Sequence, residues 1–233
     1  MKSKHSSRPA AHLIRVSFWQ VFLLLMFLAL SAADAAFVET FDNGSDNGDW
    51  HLTDDPTRLL VIETDGGNPG PYLHGQVNSS IPTWYVPVGT ATKFFVGDYA
   101  AKGVSGLSFD VNIFEGFQVP NRNVTLDLLT SLGTGDFGQG VEAYYIGADI
   151  SKLPVGWHTY TFRFDATSQT IPPGWVVINR ATDQNGTDAD WQALMHDVET
   201  IGLFLYNPQY LYPTFFWDLG LDNVRIFRQY SAP

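Results

Sequence analysis

The chain has no cysteine among its 233 residues. That excludes disulfides, thiolate nucleophiles and cysteine-held metals. Basic residues are also scarce: 13 Lys plus Arg stand against 24 Asp plus Glu, for a formal charge of −11. A chain of that sign is a poor partner for nucleic acid or for an anionic membrane. No Gly-x-Ser-x-Gly elbow and no His-Glu-x-x-His motif occurs. Beyond the N-terminus, His51, His74, His158 and His196 lie far apart with no ligand spacing. Helical periodicity is nearly absent too, as is any internal repeat or low-complexity linker, so the chain reads as one domain.

The one long apolar run is at the start. Lys2, Lys4, Arg8 and Arg15 precede Val21–Leu30, which is wholly apolar, and Ala33-Asp34-Ala35 follows as a small-x-small site. This pattern predicts a signal peptide over 1–35, with the mature chain starting at Ala36 or Phe37. A membrane anchor is the rival, since Ser17–Ala33 approaches the ~20 residues a span needs, but the small-residue site favours cleavage. Cleavage removes four of the 13 basic and one of the 24 acidic residues, leaving −14 on roughly 198 residues. The expected location is therefore secreted, extracellular or periplasmic, and the lack of cysteine fits a bacterial export product. Asn43, Asn78, Asn123 and Asn185 begin Asn-x-Ser/Thr sequons, which matter only in a eukaryotic route.

What is abundant is aromatic and β-type sequence, with 7 Trp, 10 Tyr and 17 Phe. The clearest strand is Leu107–Ile113, where Leu107, Phe109, Val111 and Ile113 alternate with Ser108, Asp110 and Asn112. That period of two buries one face and wets the other. Similar short runs lie at Phe37–Phe41, Arg58–Glu63, Tyr72–Val77, Trp84–Val86, Lys93–Val96, Val124–Thr130, Val141–Ile146, His158–Asp165, Trp175–Asn179, Ile201–Tyr206 and Leu219–Phe227. Gly, Pro and Asn clusters separate them. One helix is expected over Ala189–Val198, capped by Asp188 or Asp190, with Trp191, Leu194, Met195 and Val198 on one stripe. About eleven short strands and one short helix predict an all-β antiparallel sandwich of jelly-roll type over 37–233.

Four motifs follow in order: Gly66-Gly67-Asn68-Pro69-Gly70, Trp84-Tyr85, Phe95-x-Gly97-Asp98 and Leu107-Ser108-Phe109-Asp110. This order resembles the laminin B domain, also called laminin domain IV. The likeness covers the first half of the mature chain closely and the second half mainly through Gly220-Leu221-Asp222-Asn223-Val224. The chain departs from that setting in lacking flanking cysteine-rich repeats. The resemblance implies an extracellular jelly-roll sandwich without catalytic activity. The closing Asp222-Asn223-Val224 is also similar to the last strand of galactose-binding-like jelly rolls. By that likeness a structural calcium would join the first loop to the last strand, held by Glu39, Asp42 and Asp222.

Sugar-binding modules stack pyranose rings on exposed aromatic faces. The candidates are Tyr206, Tyr210, Tyr212, Tyr145 and Trp175, with Trp84, Tyr85 and Trp157 more readily read as core or strand residues. The Tyr206–Tyr212 stretch stands out because loops at a sandwich end carry binding function. Gly133-Thr134-Gly135-Asp136-Phe137-Gly138 matches a nucleotide-binding spacing, but β-type sequence follows it instead of a helix, so it reads as a hairpin loop. The expectation is a monomeric, non-catalytic adhesion module for carbohydrate. The alternatives are an extracellular protein-interaction domain without a sugar site and, more weakly, a polysaccharide hydrolase among whose glutamates no pair is evident.

Overall fold

The computed structural model describes residues 35–43, 48–53, 59–89, 94–116, 121–152 and 155–229. The expected signal peptide lies outside them apart from Ala35, as do Arg58 and Lys93. Among the described residues no helix is long and apolar enough to cross a membrane.

Alternation of apolar and polar residues builds two antiparallel sheets. The six-stranded sheet runs β3 (Leu59–Gly67), β4 (Gly70–Ser79), β13 (Phe215–Arg228), β6 (Val104–Glu115) and β9 (His158–Arg163), with β1 (Ala35–Glu39) pairing along the second half of β13. The seven-stranded sheet runs β11 (Gln184–Asn185), β10 (Trp175–Asn179), β8 (Val141–Asp149), β7 (Asn123–Thr130), β12 (Thr200–Leu205), β5 (Thr83–Val86) and β2 (His51–Leu52). The expected all-β antiparallel sandwich is therefore what the chain forms. The expected strand at Lys93–Val96 does not appear among residues 94–96; Gly97 makes only a single bridge to Val198.

Between the sheets lies one apolar core. Leu107, Phe109 and Val111 of β6 face Leu126 and Leu128 of β7 and Leu203 of β12, all at 1% exposure or less. Trp50 packs edge-on against Phe109 at 5.8 Å. Each such aromatic removes on the order of 150–250 Å² from water, which dominates the core energetics.

Among the described residues there is one α-helix, α1 (Asp188–His196), which packs on β7, β8 and β10 and buries Trp191, Leu194 and Met195. Its cap is Thr187, not the expected Asp188 or Asp190. The Thr187 hydroxyl accepts from the Asp190 N–H, and the Asp190 carboxylate accepts from the Thr187 N–H. This reciprocal box satisfies two orphan donors at once, which a lone Asp cap cannot do.

At the centre of the six-stranded sheet, the β3–β4 turn is tied to β13 and β6. The Asn68 side chain donates to Asp110 Oδ2 at 3.2 Å, and the Asn223 side chain donates to the Asn68 carbonyl. Asn223 takes a positive φ of 46°, a conformation that asparagine tolerates better than most residues.

Candidate functional site

Strand register places one row of residues across the outer face of the seven-stranded sheet. Val176 pairs with Tyr144, Tyr144 with Asp127, Asp127 with Gly202, Gly202 with Tyr85, and Tyr85 with His51. These positions share one face because paired residues in an antiparallel ladder point the same way. At about 4.8 Å per strand the row spans roughly 24 Å. The flanking rows add Glu142 and Leu129 on one side, and Ile146 and Phe204 on the other.

Acid pairing marks the floor of this face. Asp127 is 3% exposed, an unusual place for a carboxyl in a strand. Burial, reinforced by the charge on Glu142, pushes its carboxyl well above the usual range. Burial also raises Glu142, against the pull of Arg180, which forms an ion pair with it. Asp127 and Glu142 lie within hydrogen-bonding reach of each other, which favours the protonated form of Asp127. Asp127 Oδ1 is buried and has no hydrogen-bond partner among the described residues.

Aromatic rings surround that floor. Tyr144, Tyr85, Phe204 and Tyr206 are all half-buried. A side chain at Gly202 would meet the Phe204 ring at 2.6 Å, so the absent Cβ is what lets the ring lie over the strand. Burial raises the Tyr206 phenol, and the charge on Glu142 raises it further. Tyr206 in turn contacts Tyr212 edge-on at 6.1 Å, and Tyr210 and Tyr212 lie 6.4 Å apart.

The five expected ligand residues therefore divide. Tyr206, Tyr210 and Tyr212 come together at one end of this outer face, and Tyr210 is 44% exposed. Tyr145 and Trp175 do not join them. They point inward, 5.8 Å apart, and Trp175 is 6% exposed, packed on Phe164 and Trp191. The correction has a simple cause. Tyr144 and Tyr145 sit on opposite faces of β8, and the outward one is Tyr144. Asp127, Glu142 and Arg180 were missed because their meeting depends on strand pairing; an aspartate in the apolar run Val124–Leu129 was the one local signal.

The acidic residues expected to hold calcium are engaged separately. Glu39 accepts from the Phe41 N–H at 2.8 Å, and Asp42 from the Thr40 hydroxyl at 2.7 Å. Asp222 is wholly buried and accepts from the N–H groups of Asn68 and Asn223, both at 2.6 Å. Burial raises its carboxyl to about 6, with the charges of Asp110 and Asp42 adding to the effect. The oxygens are of the right chemistry for calcium. Among the described residues, however, no three acidic or histidine side chains converge to hold a metal ion.

No protein-family model matches the sequence, and no curated protein matches it. Solved structures of similar shape do exist. An exo-β-agarase superposes with a TM-score of 0.47 at 14% identity, over 85% of this chain and 25% of the agarase. A family 11 carbohydrate-binding module from Clostridium thermocellum, in complex with a β-1,3-1,4-mixed-linked tetrasaccharide, gives 0.45 at 10% identity, over 84% of this chain and 98% of the module. The L4b domain of human laminin α-2 gives 0.41 at 11% identity, over 78% of this chain and 97% of that domain.

Proposed function

We propose that the protein is a secreted, non-catalytic carbohydrate-binding module whose ligand lies along the outer face of the seven-stranded sheet. The observation that carries this reading is the row Tyr144–Asp127–Gly202–Tyr85, which sets half-buried aromatic faces beside the Asp127–Glu142 acid pair on the outer face of the sheet. Sugar rings need apolar faces for their C–H surface and polar groups for their hydroxyls. The tyrosines Tyr206, Tyr210 and Tyr212 extend the surface at one end.

A hydrolytic role is less well supported by the same geometry. Glycoside hydrolysis needs two carboxyl groups about 5–9.5 Å apart, with the sugar between them. Asp127 and Glu142 lie side by side, and Asp127 is 3% exposed, so the pair leaves little room for a sugar between them. A protein-interaction role would use the opposite sheet, where Phe114 and Phe216 are 42% and 41% exposed. Calcium belongs to the same proposal. A divalent ion held by Glu39, Asp42 and Asp222 would offset the burial and the neighbouring charges that raise Asp222, and would have to draw Asp42 inward to do so.

The experiment is a titration of the mature protein with soluble polysaccharides, repeated on Tyr144→Ala and Phe114→Ala. Binding lost only in Tyr144→Ala supports the outer-face site. Loss only in Phe114→Ala moves the site to the other sheet, and no binding to any polysaccharide favours the interaction-domain reading.

A further inference from the structure

Arg122 is 1% exposed, although it directly precedes β7 near the sandwich end. Its Nη1 donates to the carbonyls of Ser80 and Leu205, at 3.1 and 2.7 Å. Among the described residues its Nε and Nη2 have no hydrogen-bond partner and no carboxylate pairs with it. A buried cation with so few partners is costly, and a packed apolar residue would fill the same space more cheaply. What the guanidinium has instead is two aromatic faces. Its Cζ lies 4.1 Å from the Tyr212 ring centroid and 4.7 Å from that of Trp217. Trp217 is a core residue of β13 at 1% exposure, whereas Tyr212 belongs to the loop between β12 and β13. The Tyr212 hydroxyl donates to the carbonyl of Asn121, the neighbour of Arg122, at 2.6 Å.

We propose that Arg122 is the positioning residue of the aromatic rim: clamped between Trp217 and Tyr212, it orders the Tyr206–Tyr210–Tyr212 rings before ligand arrives. The sugar-binding part of this rests on the function proposed above; the clamp itself does not. The planar guanidinium suits the task because it can stack on two rings at once, while a lysine ammonium is a point charge that cannot. Ordering the rim in advance removes a cost that binding would otherwise carry.

The test labels the mature protein with 3-fluorotyrosine and assigns the Tyr212 ¹⁹F signal by its loss in Tyr212→Phe. In the wild type that signal should be sharp and displaced from the free amino acid. In Arg122→Lys it should average toward the free position, and affinity for whichever soluble polysaccharide the wild type binds should fall about tenfold. Tyr212→Leu removes the outer face of the stack and should behave like Arg122→Lys. A Tyr212 signal unmoved in Arg122→Lys overturns the clamp. An averaged signal with unchanged affinity overturns its role in binding. If Arg122→Lys does not fold, Tyr212→Leu breaks the same stack from its outer side, and the Tyr210 signal should then average; a Tyr210 signal that stays sharp overturns the proposal. If the wild type binds no polysaccharide but the Tyr212 signal still averages, the carbohydrate reading fails and the clamp stands.

Discussion

The backbone N–H of Asn68 donates to Asp222 Oδ2 at 2.6 Å, across 154 positions of the chain. The bond joins the β3–β4 turn to the middle of the last strand. Asp222 Oδ1 accepts from its neighbour Asn223, so one buried carboxyl serves two backbone N–H donors. Asp222→Ala would orphan both. It should destabilise the fold by about 2–4 kcal/mol, read as a lower urea midpoint with an unchanged slope. A loss under half a kcal/mol would mean the turn finds other partners.

The same carboxyl sets a pH dependence. Asp222 is raised to about 6 in the folded state, from an ordinary value of 3.8. A raised carboxyl contributes stability that is complete below its unfolded value and lost as pH rises through its folded value. Between pH 4 and 6 this residue therefore makes the protein less stable as pH increases. Asp98, Asp165 and Asp190 act in the opposite sense, because hydrogen bonds lower them, and their contribution fades only as pH falls below about 3.8. The melting temperature of the wild type should rise when pH drops from 7 to 5. Asp222→Asn should show a shallower rise over that range, and an equal slope would assign the effect elsewhere.

Tyr144 and Trp175 should separate binding from folding. Tyr144→Ala removes a half-exposed ring and should abolish measurable polysaccharide binding while shifting stability by about 1 kcal/mol or less. Trp175→Ala empties a core site beside Trp191 and should cost about 3–5 kcal/mol. If the two effects were exchanged, the outer-face site would be wrong.

Gly202→Ala tests the packing of the face. The new methyl would meet the Phe204 ring at 2.6 Å, and that ring is a side chain on a half-exposed surface, free to swing away. Stability should fall by only about 1 kcal/mol, since the strand itself need not move. Polysaccharide affinity should change, because Phe204 leaves its place beside Asp127. A wild-type binding curve would show that Phe204 is not part of the surface.

Helix α1 offers a local control. Thr187→Ala breaks the capping box and should cost about 1 kcal/mol by thermal melt without affecting the outer face. Sequence spacing placed this helix well, because a stripe at helical period is a local property. The cap is Thr187 and not Asp188 or Asp190, though Asp190 completes the box, because several neighbouring oxygens compete for the same N–H groups.

Much of the architecture was legible from residue patterns. Alternation along Leu107–Ile113 names the buried face of β6 with no knowledge of its neighbours, because side chains in a strand point up and down by turns. The same rule sets Tyr144 and Tyr145 on opposite faces, but it cannot say which face is open. That depends on which side of the seven-stranded sheet the other sheet covers. By itself the chain determined an all-β fold with aromatic interior strands and a tyrosine-rich loop at one end. Only the tertiary structure brought Asp127 of β7 against Glu142 of β8 and set Tyr212 over Arg122. Those contacts depend on strand register and on loops closing across distant positions, and a single-residue slip in register would have turned each outward group into the core.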